Sequence, residues 1–172
     1  MSIFFDIMYL GDIMNQNKFI EFRSKYPFFY YKSYNVEEND NELVITYHFS
    51  IPGLADFNPK TTIAKKNIVN KDYNFINYMA FNMGLVELIS YWKCTCSPNV
   101  IIEAGGLDEY QINWFKKLYY YGLGEFFYVN GINTSIDEFM SINTSGEKFD
   151  LNTIEYNGTG NMIAIGGGKD SV

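Results

Sequence analysis

The residues best suited to chemistry are Gly166 to Ser171, Gly-Gly-Gly-Lys-Asp-Ser, directly behind the apolar run Met162-Ile163-Ala164-Ile165. Glycines after a short strand let backbone N–H groups turn toward an anion with no Cβ in the way, and a helix behind them adds the partial positive charge of its N-terminus. In such a loop Gly166, Gly167 and Gly168 form the cradle, and Ser171 caps the helix and donates to phosphate. Asp170 is placed to hold a Mg²⁺ that bridges phosphate oxygens, while Lys169 adds a cation or faces solvent. The spacing fits neither G-x-x-x-x-G-K-[ST] nor G-x-G-x-x-G. A flexible tail has the same glycine content; the strand in front and the Lys-Asp-Ser order behind favour the cradle.

Other reactive side chains are few. Cys94 and Cys96 are the only cysteines and His48 the only histidine. Cysteines this close rarely pair with each other, and no third or fourth cysteine completes a zinc site. Cysteine usage of this kind suits a reducing cytoplasm. The alternation of Leu43, Ile45, Tyr47 and Phe49 with Glu42, Val44, Thr46 and His48 predicts a strand with a core face and a half-polar face. His48 falls on the second face, so it is expected to be an outward strand residue rather than a catalyst.

The elements around these residues follow from pattern. Residues 19–31 are aromatic and irregular, and Pro27 breaks any helix at Tyr26. FFYYKSY and ELVITYHFS, joined by polar NVEENDN, predict a hairpin. IPGLADFNPK is a loop and TTIAKKNIV a possible strand. A helix is expected from Asn70 or Asp72 through Lys93, with Ile76, Met79, Ala80, Met83 and Val86 at helical spacing, Phe81, Leu85 and Leu88 on the remaining face, and most of its surface buried. Gly84 in its middle implies close packing on a neighbour. NVIIEAGG is a short buried strand. The next helix starts at Asp108 and Glu109, carries Lys116 and Lys117 toward its end and stops at Gly122. Asn130-Gly131 marks a turn. From Asn133 to Gly160, Ser, Thr, Asn and Gly dominate, which predicts a linker with at most a weak strand around residues 149–154.

Composition narrows the function classes. With 47% hydrophobic and 19% charged residues the chain is globular rather than disordered, and 15 Tyr with 15 Phe make rings its main filling. Net charge is −7 with no basic cluster, so nucleic acid is not an expected partner. The acidic group Glu37, Glu38, Asp40 and Glu42 is expected to be a solvated turn. The start, MSIFFDIMYLGDIM, lacks a basic region, and no apolar stretch reaches membrane-spanning length, so neither a signal peptide nor a membrane partner is expected.

AIGGGKDS resembles the pyrophosphate loop SGGxDS of the N-type ATP pyrophosphatases, with Gly166 in place of the leading serine. LYYYGLGEFFYVNG, Leu118 to Gly131, and SYWK, Ser90 to Lys93, are similar to blocks of one branch, the ATP-dependent UDP-N-acetylmuramoyl-L-alanyl-L-glutamate epimerases of peptidoglycan synthesis. The resemblance covers residues 80–172, and the Cys94-Thr95-Cys96 triplet stands outside it. It implies ATP and Mg²⁺ as cofactors, with Gly166 to Ser171 on the nucleotide and Asp170 on the metal, and the UDP-MurNAc dipeptide as substrate. Glu125 and Lys93 are acid–base candidates by chemical type alone; the simpler reading is a helix-start carboxylate for Glu125 and a solvated helix end for Lys93.

The expected architecture is therefore α+β. Residues 1–132 form an aromatic-rich domain of strands and helices, 133–160 a linker or boundary, and 161–172 the first strand and phosphate loop of an α/β ATP pyrophosphatase domain. Because the resemblance implies that this domain continues past the loop, the chain alone is expected not to turn over. Two other expectations stay open: a different ATP pyrophosphatase, and a non-catalytic aromatic-rich binding module.

Overall fold

A computed structural model describes residues 14–68 and 72–149. Helix α1 (Gln16–Lys25) is capped by Asn15, whose side chain accepts from the Lys18 N–H at 3.1 Å. The chain then forms β1 (Phe28–Glu38), β2 (Glu42–Ile51), β3 (Ala55–Phe57), β4 (Lys60–Ala64), a 3₁₀ turn (Lys65–Asn67) and α2 (Tyr73–Trp92). It continues through β5 (Asn99–Ile102), α3 (Glu109–Gly122), α4 (Gly124–Val129), α5 (Ile136–Phe139) and β6 (Ser141–Thr144). The fold is α+β with one mixed sheet of order β3-β2-β1-β5-β6, in which β4 pairs with β2 beside β3. β1 and β2 are antiparallel, whereas β1–β5 and β5–β6 are parallel.

The hairpin is the one its aromatic and β-branched residues predict, with Leu43, Ile45, Tyr47 and Phe49 all buried and His48 half-buried on the other face. Its turn is tighter than the polar run suggests, because β1 continues to Glu38 and the Asn39 carboxamide accepts from the N–H groups of Asn41 and Glu42. Glu38 is more than a solvated turn residue, since it pairs with Lys65 and accepts a hydrogen bond from the Tyr73 hydroxyl at 3.0 Å.

Helix α2 begins at Asp72, which caps the Asn74 N–H at 2.9 Å. Its buried face is the one carrying Ala80, Phe81, Gly84, Leu85, Leu88 and Trp92, while Met79 and Val86 are 42% and 57% exposed. The helix is largely buried as expected, with four of its twenty residues exposed, but Met79 and Val86 are among the four, which corrects their place on the packed face. The large rings decide which face goes in, because Phe81 and Trp92 bury the most apolar area. Gly84 lets the helix settle on β1: a Cβ there would stand 2.1 Å from the Tyr31 hydroxyl oxygen. Tyr31 is fully buried, stacked on Phe81 with ring centroids 5.9 Å apart and edge-on to Phe49 at 5.1 Å.

Four more expectations change. Residues 16–25 are helical, not irregular, although the helix does stop ahead of Pro27. β3 lies inside the segment expected as a loop. Lys116 and Lys117 stand ahead of the last turn of α3, which holds no basic residue, and the Lys116 ammonium donates to the Asp137 carbonyl at 3.5 Å. Within the segment expected as a linker, α5 and β6 instead extend the fold, with Phe139, Met140 and Ile142 buried and β6 paired to β5. Residues 150–160 of that segment, and the strand and loop expected at 161–172, lie outside the described residues.

Arg23 ties these pieces together. Its half-buried guanidinium donates to the carbonyls of Cys96 at 2.7 Å, Phe139 at 2.6 Å and Glu138 at 2.8 Å. It thus closes the C-terminal end of α5 and holds the turn after α2. Arg23→Met orphans three carbonyls, so unfolding free energy is expected to fall by about 3 kcal/mol, given that hydrogen bonds from a charged group are each worth roughly 1.5–3 kcal/mol and do not add fully. Urea denaturation checks this; a change under about 0.5 kcal/mol would rule out the clamp.

Candidate functional site

Of the residues the sequence singles out, Lys93 adjoins the cysteine turn, its carbonyl accepting from the Cys96 thiol at 3.7 Å, while Glu125 stands on a separate helix. Lys93 is the half-buried C-cap of α2 and Glu125 an exposed residue in the first turn of α4, and no hydrogen bond or ion pair joins them. Glu125 thus occupies the helix-start position that the simpler reading assigns it. Gly166, Gly167, Gly168, Lys169, Asp170 and Ser171 lie outside the described residues.

The cysteines sit in a tightly bonded turn. Cys96 has φ 52°, which for a residue with a Cβ is held only by its surroundings. Its N–H donates to the Trp92 carbonyl at 2.8 Å, the Trp92 indole N–H donates to the Ser97 carbonyl at 2.8 Å, and the buried hydroxyls of Thr95 and Ser97 lie 2.9 Å apart. Burial pushes the Cys94 thiol up to about 11 and the Cys96 thiol up to about 12, the latter against the favourable pull of Arg23. A raised pKa keeps the reactive thiolate scarce. At pH 8 Cys94 is expected to be alkylated about a hundredfold more slowly in the native protein than in urea, the ratio of thiolate fractions for about 11 against an unperturbed value near 9. Equal rates in the two states would refute this. Among the described residues no three His, Cys, Asp or Glu side chains gather as a metal-ligand group.

What the structure does assemble is a polar groove of about 410 Å³, lined by Lys32 to Val36 of β1, Tyr73 and Asn77 of α2, and Glu103 and Ala104 after β5. Its origin is a mismatch of strand lengths. β5 pairs with β1 only along Phe28 to Tyr31, and the ladder ends where the N–H groups of Glu103 (2.9 Å) and Ala104 (3.1 Å) both donate to the Tyr31 carbonyl. A β-bulge follows between Tyr31 and Ser33. Beyond it β1 runs on toward Glu38 with no described strand on that side. The N-terminal turns of α2 form the roof, held down by Tyr73 on Glu38, and the Asn77 carboxamide is fixed by donating to the Tyr73 carbonyl at 2.8 Å.

The floor near Ala104 is set by glycines. A Cβ on Gly146 would lie 2.6 Å from the Gly105 backbone, and the Gly106 N–H donates to the Glu147 carbonyl at 2.6 Å. The loops after β5 and β6 therefore touch backbone to backbone, and the chain crosses to α2, where the Phe149 ring packs on Phe81 at 5.1 Å. No sequence motif marks the groove, because its groups come from three separate segments and include main chain. The trace of it in the sequence is Gly105-Gly106, which closes NVIIEAGG and permits this backbone approach.

The fold is thus an α+β domain with a polar groove beside the carboxyl end of a parallel strand, roofed by a helix start. No helix among the described residues is long and apolar enough to cross a membrane. A family model described as the MurL N-terminal domain matches residues 21–172, and the chain belongs to this family, that of a peptidoglycan-related epimerase. No curated protein and no solved structure shows a match.

Proposed function

We propose that this chain is the N-terminal part of an ATP-dependent epimerase that converts the terminal L-glutamate of UDP-MurNAc-L-Ala-L-Glu to D-glutamate. The observation that carries the proposal is the family match, which runs unbroken across the LYYYGLGEFFYVNG block and the GGGKDS loop. A free carboxylate beside Cα makes deprotonation prohibitive, because a second negative charge would develop on the same enolate. In the proposed reaction the glutamate α-carboxylate attacks the α-phosphorus of ATP, pyrophosphate leaves, and the acyl-adenylate, whose acyl carbonyl no longer carries the carboxylate charge, has a far more acidic Cα–H. A base removes that proton from one face and an acid returns one to the other. Hydrolysis then releases AMP and the inverted residue.

The donor set of the loop fits this role. Gly166, Gly167 and Gly168 offer backbone N–H groups without side-chain obstruction, and the Asp170 carboxylate and Ser171 hydroxyl are the hard oxygen donors that suit Mg²⁺. When bound, the metal offsets charge on the departing pyrophosphate. The proton transfers are not assigned to Glu125 or Lys93, neither of which lines the groove. The test is chiral analysis of glutamate after incubating the intact protein with the UDP-MurNAc dipeptide and Mg-ATP. D-glutamate formed together with AMP supports the reaction, and L-glutamate alone with no AMP excludes it.

A further inference from the structure

We infer that the groove takes an extended, amide-bearing arm of the substrate as an added strand on the open edge of β1. This deepens the epimerase reading and rests on it for the identity of the ligand, while the site itself comes from the ladder geometry.

From Ser33 to Glu38 the hairpin register is constant, with Ser33 opposite His48, Asn35 opposite Thr46 and Glu37 opposite Val44. At the turn the Asn39 N–H donates to the Glu42 carbonyl at 3.0 Å. In an antiparallel pair, hydrogen-bonded and non-hydrogen-bonded positions alternate. Counting back from Asn39, the residues Glu37, Asn35 and Ser33 exchange bonds with β2. Tyr34 and Val36 therefore aim their N–H and C=O groups the other way, into the groove they line.

Two such residues are the minimum that recognises one extended amino-acid residue. In a parallel arrangement, continuing the sense in which β5 joins β1, a ligand residue opposite Asn35 donates its N–H to the Tyr34 carbonyl and accepts at its C=O from the Val36 N–H. The two edge positions are about 6.6 Å apart along the strand, the span of one residue and its flanking peptide groups. A dipeptidyl arm supplies these groups. The side chains of Asn35 and Asn77 can hydrogen-bond further polar groups of such an arm. An edge with no strand partner among the described residues is otherwise a hazard for strand-to-strand aggregation, which the exposed Lys32 and Glu37 on this strand oppose.

Hydrogen exchange on the intact protein tests this, read by NMR or by fragmentation at single amides. With the UDP-MurNAc dipeptide added, the amide of Val36 is expected to slow at least tenfold, while those of Ser33 and Asn35, already in the β1–β2 ladder, change little. An analogue N-methylated at the alanyl nitrogen is expected to bind about tenfold more weakly, the loss of one net hydrogen bond of roughly 1.4 kcal/mol. Val36→Pro removes the edge-facing N–H at a position that tolerates proline, together with a half-buried side chain packed on the core, which Val36→Ala also loses while keeping the N–H. Val36→Pro is expected to raise the dissociation constant about tenfold relative to Val36→Ala, and equal dissociation constants for the two variants would overturn the edge hydrogen bond. Inversion of glutamate without any protection at Val36 overturns the groove and leaves the reaction standing. Protection without inversion leaves the groove standing and removes the reaction, and absence of both removes both.

Discussion

Gly84→Ala is expected to destabilise the protein by about 3 kcal/mol or more, a fall of roughly 10 °C in unfolding midpoint for a chain of this size. The sign carries the argument. At an exposed site in the middle of a helix the same change adds helix propensity and stabilises by about 1 kcal/mol. Here the added Cβ would meet the Tyr31 ring at three atoms, 2.1 Å from Oη, 2.5 Å from Cζ and 2.9 Å from Cε1. The ring has no room to retreat, because Phe81 and Phe49 hold it on two sides and it has no solvent exposure. α2 must lift from β1 instead, and with it the roof of the groove. Combining Gly84→Ala with Tyr31→Leu is expected to cost less than the sum of the two single changes, since the smaller side chain vacates the space. An increase in stability from Gly84→Ala alone would show that α2 does not sit on β1 at this distance.

Asp170→Ala is expected to lower turnover of the intact protein by a factor of about 10²–10³, the cost typical of losing one group that stabilises transition-state charge. Ser171→Ala removes a single hydroxyl and is expected to cost less, about tenfold. Both effects belong in kcat with MgATP saturating, and Asp170→Ala is expected to raise the Mg²⁺ concentration needed for half-maximal rate. If Asp170→Ala retains wild-type turnover and Mg²⁺ dependence, the glycine run is not the pyrophosphate cradle.

The parts of the fold legible in the sequence are those where one residue type settles the matter. Period-two alternation over Leu43 to Phe49 leaves a strand only one way to turn, and Asp72 and Asp108 each begin a helix because their carboxylates satisfy orphan N–H groups. Helix α1 escaped notice because only Phe19 of its ten residues is buried, so no apolar stripe exists to see. In α2 apolar residues occupy nearly the whole circumference, and spacing alone cannot choose between a face with Met79 and Val86 and one with Phe81 and Trp92. β6 was hidden by its composition: Ser141-Ile142-Asn143-Thr144 has one apolar residue, and it joins the sheet because the Ser141 N–H donates to the Pro98 carbonyl at 2.8 Å and β5 offers a free edge.

The candidate sites divide along the same line. A glycine cradle is visible in sequence because glycine is itself the functional feature, a backbone free of Cβ. The groove is invisible there, since Tyr34 and Val36 act through main-chain groups whose direction is set by register with β2. Register depends on the whole hairpin and its bulge, and no local spacing encodes it.

The most direct test of the account is solvent exchange at the glutamate Cα. In D₂O, the intact protein supplied with the UDP-MurNAc dipeptide and Mg-ATP is expected to place deuterium at that carbon, and to place none when ATP is withheld or replaced by an analogue with a non-hydrolysable α,β-bridge. Deuterium incorporation without ATP would contradict activation of the carboxylate as the step that makes the proton removable, and inversion with ATP but no solvent deuterium would contradict proton transfer by a base and acid in exchange with water.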